Sequence, residues 1–115
     1  MAQALQTVNL DDEYEKEQGR VFMTGTQALV RLCLLQRQID LANGHNTGGF
    51  ISGYRGSPIG AFDQQLWAIK DKLKEEHITF NPGVNEDLAA TSIWGTQQVG
   101  LLDKETAKYD GVVGV

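Results

Sequence analysis

The apolar positions of this chain follow helical spacing in long segments that are separated by short apolar runs. Val21-Phe22-Met23 is the first such run, and Thr24-Gly25-Thr26 then offers hydroxyl N-caps for a helix that extends to about Asn43, with Gly44 as its C-terminal stop. Three-and-four spacing predicts a buried stripe made of Leu29, Leu32, Cys33, Gln36 and Ile39, widened by Ala28 and Leu35. The opposite, polar face then carries Arg31, Arg37, Gln38 and Asp40.

Two further strand-and-helix units follow this helix. Gly49-Phe50-Ile51-Ser52-Gly53 has the composition of a short buried strand, and Ser57 and Pro58 stand where the N-cap and first residue of a helix would be. The apolar face of that helix is formed by Phe62, Leu66, Ile69 and Leu73. Ile78-Thr79-Phe80 predicts another strand, and the loop 81–85 leads into a helix that starts near Glu86.

The last predicted strand is Val112-Val113-Gly114-Val115, which follows a turn at Asp110-Gly111. The order β-α-β-α-β-α-β predicts an α/β fold over residues 20–115, with an open parallel sheet and helices on both faces. Residues 1–19 form a polar, acidic N-terminal arm, which we expect to be loose or a short exposed helix. An apolar strand at Val115 with no helix after it would leave an unprotected edge, so we expect the domain to be incomplete at its C-terminus.

Composition narrows the classes of function. Hydrophobic residues make up 41% and charged residues 22% of the chain, as in ordinary globular proteins. The net charge of −5 argues against nucleic acid as a partner, because phosphate neutralisation needs clustered Lys and Arg. The chain has neither an apolar run of membrane-spanning length nor a signal-peptide pattern at its N-terminus, and we expect a cytoplasmic protein. The single cysteine, Cys33, excludes an intramolecular disulfide and fits a packed thiol better than a nucleophile.

Candidate chemistry is concentrated at two loop-to-helix junctions. One is Gly53-Tyr54-Arg55-Gly56-Ser57-Pro58 after the second predicted strand, and the other surrounds Glu86. Two such junctions on one parallel sheet lie at the same edge, where open α/β sheets bind ligands. A carboxylate at Glu86 would also be stabilised by the positive end of the helix dipole. Without further information, Glu86 could therefore have a purely structural role. His45 and His77 lack a second ligand at metal-binding spacing, and we expect no metal site.

Three runs carry a resemblance to a known family: Gly53-Tyr-Arg-Gly-Ser-Pro-Ile-Gly60, Asn85-Glu-Asp-Leu-Ala-Ala-Thr91 and Lys108-Tyr-Asp-Gly-Val-Val-Gly114. In order and spacing they resemble the N-terminal region of the indolepyruvate ferredoxin oxidoreductases, within the thiamine-diphosphate-dependent 2-oxoacid:ferredoxin oxidoreductase family. The resemblance extends from about Arg20 to the end of the chain. It implies a truncated pyrimidine-binding domain, which holds half of the thiamine diphosphate site.

The resemblance implies a complete enzyme that oxidatively decarboxylates a 2-oxoacid, such as an arylpyruvate, to an acyl-coenzyme A and passes electrons to ferredoxin. Mg²⁺ and 4Fe–4S clusters are expected only in the rest of that protein, where a diphosphate-binding domain would pack against this one. Such half-sites imply an oligomer, and this segment alone is expected to be inactive. The alternative is a standalone, non-catalytic α/β module that binds a partner or a nucleotide.

Residue roles follow from the same resemblance. Glu86 would be the catalytic acid, hydrogen-bonded to N1′ of the aminopyrimidine ring and thereby favouring the imino tautomer that lets the cofactor act as its own base. Tyr54, Gly56 and Gly83 would lie against the cofactor. The 2-oxoacid carboxylate would meet Ser57, Pro58 and Arg55, with free N–H groups at a helix start as additional donors. Ser57 as a simple N-cap, Arg55 as a solvent or interface residue and Tyr54 as a core residue stay open as alternatives.

Overall fold

A computed structural model describes residues 7–102 and 104–115 of the chain. Five helices and three strands are defined within these residues. In chain order they are α1 (Asp12–Glu15), α2 (Gly25–Ala42), β1 (Thr47–Ile51), α3 (Gly60–Ala68), α4 (Lys70–Glu75), β2 (Ile78–Phe80), α5 (Glu86–Thr96) and β3 (Gly111–Gly114).

The three strands form one parallel sheet with the order β2-β1-β3. Phe50 in the central strand pairs with Thr79 on one side and Gly114 on the other. The predicted α/β fold with an open parallel sheet is therefore confirmed. The predicted order has four strands, but the described residues form three: the apolar entry Val21–Met23, which would have been the first, is not a strand, and Phe22 is 96% exposed. Three apolar residues carry too little pattern to distinguish a strand from an extended segment that leads into a helix.

The bounds of α2 follow from its caps, as predicted. Thr24 Oγ1 accepts a hydrogen bond from the Gln27 N–H at 3.2 Å, and Gln27 Oε1 accepts from the Thr24 N–H at 2.8 Å. This capping box satisfies two backbone donors that the helix itself leaves without partners. At the other end, Gly44 has φ +84°, the left-handed conformation in which glycine commonly ends helices.

The buried face of α2 differs from the prediction. Val30, Leu34 and Arg37 are buried, whereas Leu29, Leu32 and Ile39 of the predicted stripe are 41%, 61% and 53% exposed. Leucines surround much of this helix, so spacing alone does not select one face. Arg37 decides the orientation, because its guanidinium donates to Asn46 Oδ1 at 3.0 Å and to the Thr47 carbonyl and so ties α2 to the start of β1.

The main core lies between the sheet and helices α2, α3 and α4. It contains Leu34, Ile51, Leu66, Leu73 and Ile78, all 4% exposed or less. Phe62 and Ile69 pack against this core, which confirms the predicted apolar face of the helix after Pro58. The helix is interrupted at Ile69 (φ −117°, ψ 24°), so the predicted single element is the pair α3 and α4.

The N-terminal helix α1 is docked onto this side of the molecule. Tyr14 is 8% exposed, and its hydroxyl donates to Gln65 Oε1 at 3.1 Å. Burial is the main cause that raises the Tyr14 pKa, with the nearby Glu13 carboxylate adding to it. Lys72 of α4 forms an ion pair with Glu15 at 2.8 Å. The acidic segment thus contains a short helix, but this helix is docked by a buried aromatic ring and an ion pair rather than loose or fully exposed.

Helix α5 covers the opposite face of the sheet. A Cβ built on Gly114 would lie 2.6 Å from Ile93 Cγ2 of α5, so the helix approaches β3 closely at this glycine. Gly114 pairs with Phe50, and side chains alternate along β1, so α5 and the core residue Ile51 lie on opposite faces. The prediction of helices on both faces is confirmed.

Candidate functional site

The loops that follow β1 and β2 meet at the carboxyl edge of the sheet. The Asn81 N–H donates to the Ile51 carbonyl and the Gly83 N–H donates to the Gly53 carbonyl, both at 2.9 Å. These two bonds extend the pairing of the strands into the loops. Gly83 also packs tightly, since an added Cβ would lie 3.0 Å from both Ala89 Cβ and the Asn85 carbonyl oxygen. The predicted meeting of the two junctions at one edge is therefore observed.

The loop after β1 is built from successive turns. The Ser57 N–H donates to the Tyr54 carbonyl and the Gly60 N–H donates to the Ser57 carbonyl, both at 3.0 Å. Helix α3 begins at Gly60, with Ile59 at its N-cap position and no side-chain cap. The prediction that Ser57 is the N-cap and Pro58 the first helical residue is wrong, because two turns delay the helix. A Cβ on Gly56 would lie 2.5 Å from the Tyr54 ring, so Gly56 lets this ring fold back over the loop.

Arg55 and Asp63 form an ion pair beside this loop. Arg55 Nε lies 2.8 Å from Asp63 Oδ2, and the arginine side chain is 67% exposed while that of Asp63 is 9% exposed. Asp63 was not predicted as a site residue. Its position three residues before the buried Leu66 places it on the inward side of α3, and an acid there needs a partner. The spacing between Asp63 and Leu66 was therefore the feature of the sequence that could have identified Asp63.

Glu86 is the first residue of α5 and is exposed. The cap of this helix is Asn85, whose Oδ1 accepts from the Leu88 N–H at 2.8 Å. Within residues 7–102 and 104–115, no side chain or backbone group forms a hydrogen bond or ion pair with the Glu86 carboxylate. Capping therefore does not engage Glu86, and its carboxylate is available to a ligand.

An apolar cavity of about 470 Å³ opens on the α2 and α3 side of the same edge. Its lining includes Tyr54 and Ser57 of the predicted site, together with the apolar side chains of Leu32, Phe62 and Val113. The other predicted site residues, Arg55, Gly56, Pro58, Gly83 and Glu86, do not line this cavity. The structure thus separates a cavity on one face of the sheet from the Glu86 carboxylate, which begins the helix of the other face.

Ser52 lines this cavity and was missed by sequence reasoning. Its side chain is 9% exposed, and its Oγ has no hydrogen-bond partner among the described residues. The Ser52 N–H donates to the Val115 carbonyl at 2.9 Å, which fixes the backbone at the end of β1. A hydroxyl directly after the apolar pair Phe50-Ile51 was the signal, because a polar side chain at the end of a buried strand often faces a site at that edge.

Among the described residues, Cys33 and the histidines are not arranged as metal ligands. Burial is the main cause that raises the pKa of the Cys33 thiol, which agrees with a packed thiol rather than a nucleophile. No three His, Cys, Asp or Glu side chains cluster as metal ligands in the part of the chain that the structure describes. His77 contacts Tyr109 instead, with 2.9 Å between Nδ1 and the phenol oxygen.

Comparisons with protein-family models, curated proteins and solved structures found no match to this chain. Among the described helices, none combines the length and hydrophobicity that a bilayer-spanning segment requires. The family therefore stays a prediction that depends on the three sequence runs, and the fold of the domain is established by its own sheet and helices.

Proposed function

We propose that this chain forms the aminopyrimidine-binding half of a thiamine-diphosphate-dependent 2-oxoacid:ferredoxin oxidoreductase. The complete enzyme would act in the cytoplasm on a 2-oxoacid, with coenzyme A and ferredoxin as the other reactants. The observation that carries the proposal is the hydrogen bond between Gly83 and Gly53, which holds the loop before the Asn85–Thr91 run against the start of the Gly53–Gly60 run at one sheet edge. Ligands of open α/β sheets bind at such an edge.

The Glu86 carboxylate fits the role of ring partner. It is exposed at the start of α5, and none of the described residues occupies its oxygens. Asn85 already caps the helix, so the acid is not needed to complete the N-terminus. A carboxyl group has two oxygens that can accept, or share a proton with, a ring nitrogen. Glu86 would therefore hold a proton at N1′ of the pyrimidine.

The residues of this chain fit one half of the cofactor. Gly83 is close-packed against Ala89 and Asn85, which fixes the loop that leads to Glu86. By the family resemblance, the diphosphate and its Mg²⁺ would be bound by another domain. When bound, thiamine diphosphate supplies a nucleophilic carbon that adds to the carbonyl of the 2-oxoacid.

A covering domain would provide the dry environment that this chemistry needs. Apolar side chains are exposed in the loop before Glu86 and along α5: Val84 at 75%, Leu88 at 52% and Trp94 at 66%. Exposed apolar groups of this size near a polar site are typical of a surface that a second domain covers. Removing water around Glu86 would strengthen its hydrogen bond to the ring.

The 2-oxoacid carboxylate would bind beside the loop after β1. Arg55 uses Nε for Asp63 and has no described partner for its two terminal nitrogens, which can receive a carboxylate with two parallel hydrogen bonds. Ser57 and Tyr54 line the adjacent apolar cavity, which offers space for the side chain of the acid. Pro58 stiffens the turn that holds Ser57.

The test is Glu86→Gln in the complete polypeptide that carries this segment, assayed by coenzyme A-dependent reduction of a viologen dye with arylpyruvates. We expect turnover to fall by about 10²-fold or more, because a glutamine cannot share a proton with the ring. Asp87→Asn is the matched control, since its side chain is also exposed on the first turn of α5. Near-normal turnover of Glu86→Gln, with circular dichroism showing an intact fold, would refute the role and favour the non-catalytic module.

A further inference from the structure

An open cleft of about 730 Å³ lies at the end of the sheet opposite to Glu86, near the amino ends of the strands. Gly48 and Phe50 of β1 and Thr79 of β2 form its floor, on the face of the sheet where α5 packs mainly over β1 and β3. The size lies within the range of small-molecule binding clefts. We name this surface the lysine cleft after Lys70, Lys74 and Lys108, which line it.

The lysine cleft gathers positive charge in an acidic chain. Its three lysines come from α4 and from the segment before β3, and Asp71 is the one carboxylate among its lining residues. The ion pairs within residues 7–102 and 104–115 are Arg55–Asp63 and Lys72–Glu15, so none of the three ammonium groups is paired with an acid. Like charges in one cleft repel each other, and a bound anion would relieve that repulsion. The net charge of the chain is −5, so this cleft departs from the general trend of the surface.

Aromatic rings accompany these lysines. Trp67 is 43% exposed and contacts Phe80 edge to face, with ring centroids 5.4 Å apart. Lys70 Nζ lies 6.0 Å from the Trp67 ring centroid, and Lys108 Nζ lies 5.3 Å from that of Tyr109. An exposed ring beside an ammonium group offers a flat molecule a stacking surface and an anion a counter-charge at the same place.

His77 adds a strained residue to the same cleft. Its φ of 57° is left-handed, at the position after α4 where glycine is the usual residue. The imidazole contacts the Tyr109 hydroxyl at 2.9 Å and its ring edge to face, which holds both rings at the cleft. A non-glycine residue at such a position costs backbone energy, and such strain is concentrated at functional sites.

We propose that the lysine cleft binds a nucleoside di- or triphosphate. The phosphates would contact Lys74 and Lys108, and the base would stack on Trp67 beside Lys70. Lysines recognise phosphate as compact point charges, and clustered aromatic rings recognise the flat base. This site is separate from the proposed thiamine diphosphate half-site and does not depend on it.

The first test is tryptophan fluorescence of the 115-residue chain titrated with ADP at low salt. The chain has two tryptophans, of which Trp67 lines the cleft and Trp94 lies on α5 outside it. We expect ADP to change the emission of wild type and of Trp94→Phe, and to leave Trp67→Phe unchanged. A response that persists in Trp67→Phe, or no response at millimolar ADP, would overturn the proposal.

The second test is calorimetry with lysine variants. We expect Lys70→Gln/Lys74→Gln to weaken ADP binding by about tenfold or more, because the Lys74 contact with phosphate and the Lys70 charge beside the base are both lost. Lys72→Gln, on the same helix but paired with Glu15, is the matched control and should bind as wild type does. Lys108→Gln leaves α4 untouched and should also weaken binding. This variant therefore tests the proposal even if the double variant does not fold, and unchanged ADP affinity of Lys108→Gln would contradict it.

Probe chemistry separates the two halves of the ligand. Pyrophosphate alone and adenosine alone should each bind more weakly than ADP, and added salt should weaken ADP binding because the lysines are exposed to screening. Equal affinity for pyrophosphate and ADP would contradict the stacking on Trp67. Glu86→Gln should bind ADP as wild type does, so a failure of the thiamine diphosphate proposal would leave this result unaffected.

Discussion

The two faces of the sheet differ in how completely they are covered. On the face of α2, α3 and α4, helix and strand side chains such as Leu34, Leu66 and Ile78 are almost fully buried. On the other face, Ala89 is the buried residue of α5, and Leu88 and Trp94 stay more than half exposed. The first face therefore supplies most of the stability, whereas the second presents the Glu86 helix as a surface still open to a partner or a domain.

The largest expected effect is on the covered face. Leu34→Ala should lower the free energy of unfolding by about 2–5 kcal/mol, because Leu34 is 1% exposed and its removal leaves a cavity. Leu88→Ala on α5 should change it by about 0.5 kcal/mol or less, since surface substitutions have small effects. Urea unfolding followed by circular dichroism measures both. Equal losses at the two positions would show that α5 is packed as firmly as the core.

Alanine substitutions at Gly49 and Gly114 test the same difference in packing between the two faces of the sheet. A Cβ on Gly49 would lie 2.8 Å from Ile78 Cγ1 in the core, and a Cβ on Gly114 would lie 2.6 Å from Ile93 Cγ2 of α5. Gly49→Ala should cost about 1–3 kcal/mol, because the core is too well packed to yield. Gly114→Ala should cost less despite the shorter contact, since α5 can shift outward. A larger loss for Gly114→Ala in thermal or urea unfolding would contradict the contrast.

The smallest expected effect is a loss of folding stability at low pH through Asp40. The pKa of Asp40, ordinarily 3.8, is lowered chiefly by the hydrogen bond from the Thr47 hydroxyl, at 2.6 Å, and then by that from Gln36. A lowered folded-state pKa contributes stability that is present above 3.8 and is lost as the pH falls through the folded value. The stability difference between wild type and Asp40→Asn should therefore shrink on acidification below that point. A difference that is independent of pH in urea unfolding would exclude this linkage.

The sequence predicted the elements better than their orientations. Caps and turn residues are local signals, and Thr24 and Gly44 define α2 as expected, while Gln27 completes a capping box that was not predicted. The buried side of α2 was not predictable from spacing, because apolar residues lie on several faces. Arg37 determines that side through contacts with Asn46 and Thr47, which come together only when the strand is formed. The start of α3 was missed for a similar reason, since backbone turns around Ser57 replace the side-chain cap.

The location of the candidate site could be predicted from the sequence, but the set of residues that line it could not. The edge of a parallel sheet and the two junctions there follow from the order of elements. The spacing from Leu66 indicates that Asp63 faces inward, but only the tertiary packing of β1 and α3 brings Ser52 and Asp63 to one cavity. The lysine cleft joins residues from α3, α4, β1 and the segment before β3, so it exists only in the folded chain.

The most direct test of the central claim is a crystal structure of the complete polypeptide with thiamine diphosphate. The account predicts the Glu86 carboxylate about 3 Å from N1′ of the pyrimidine ring, with water excluded by an adjoining domain. A structure in which Glu86 points into solvent, or in which the ring binds elsewhere, would contradict it.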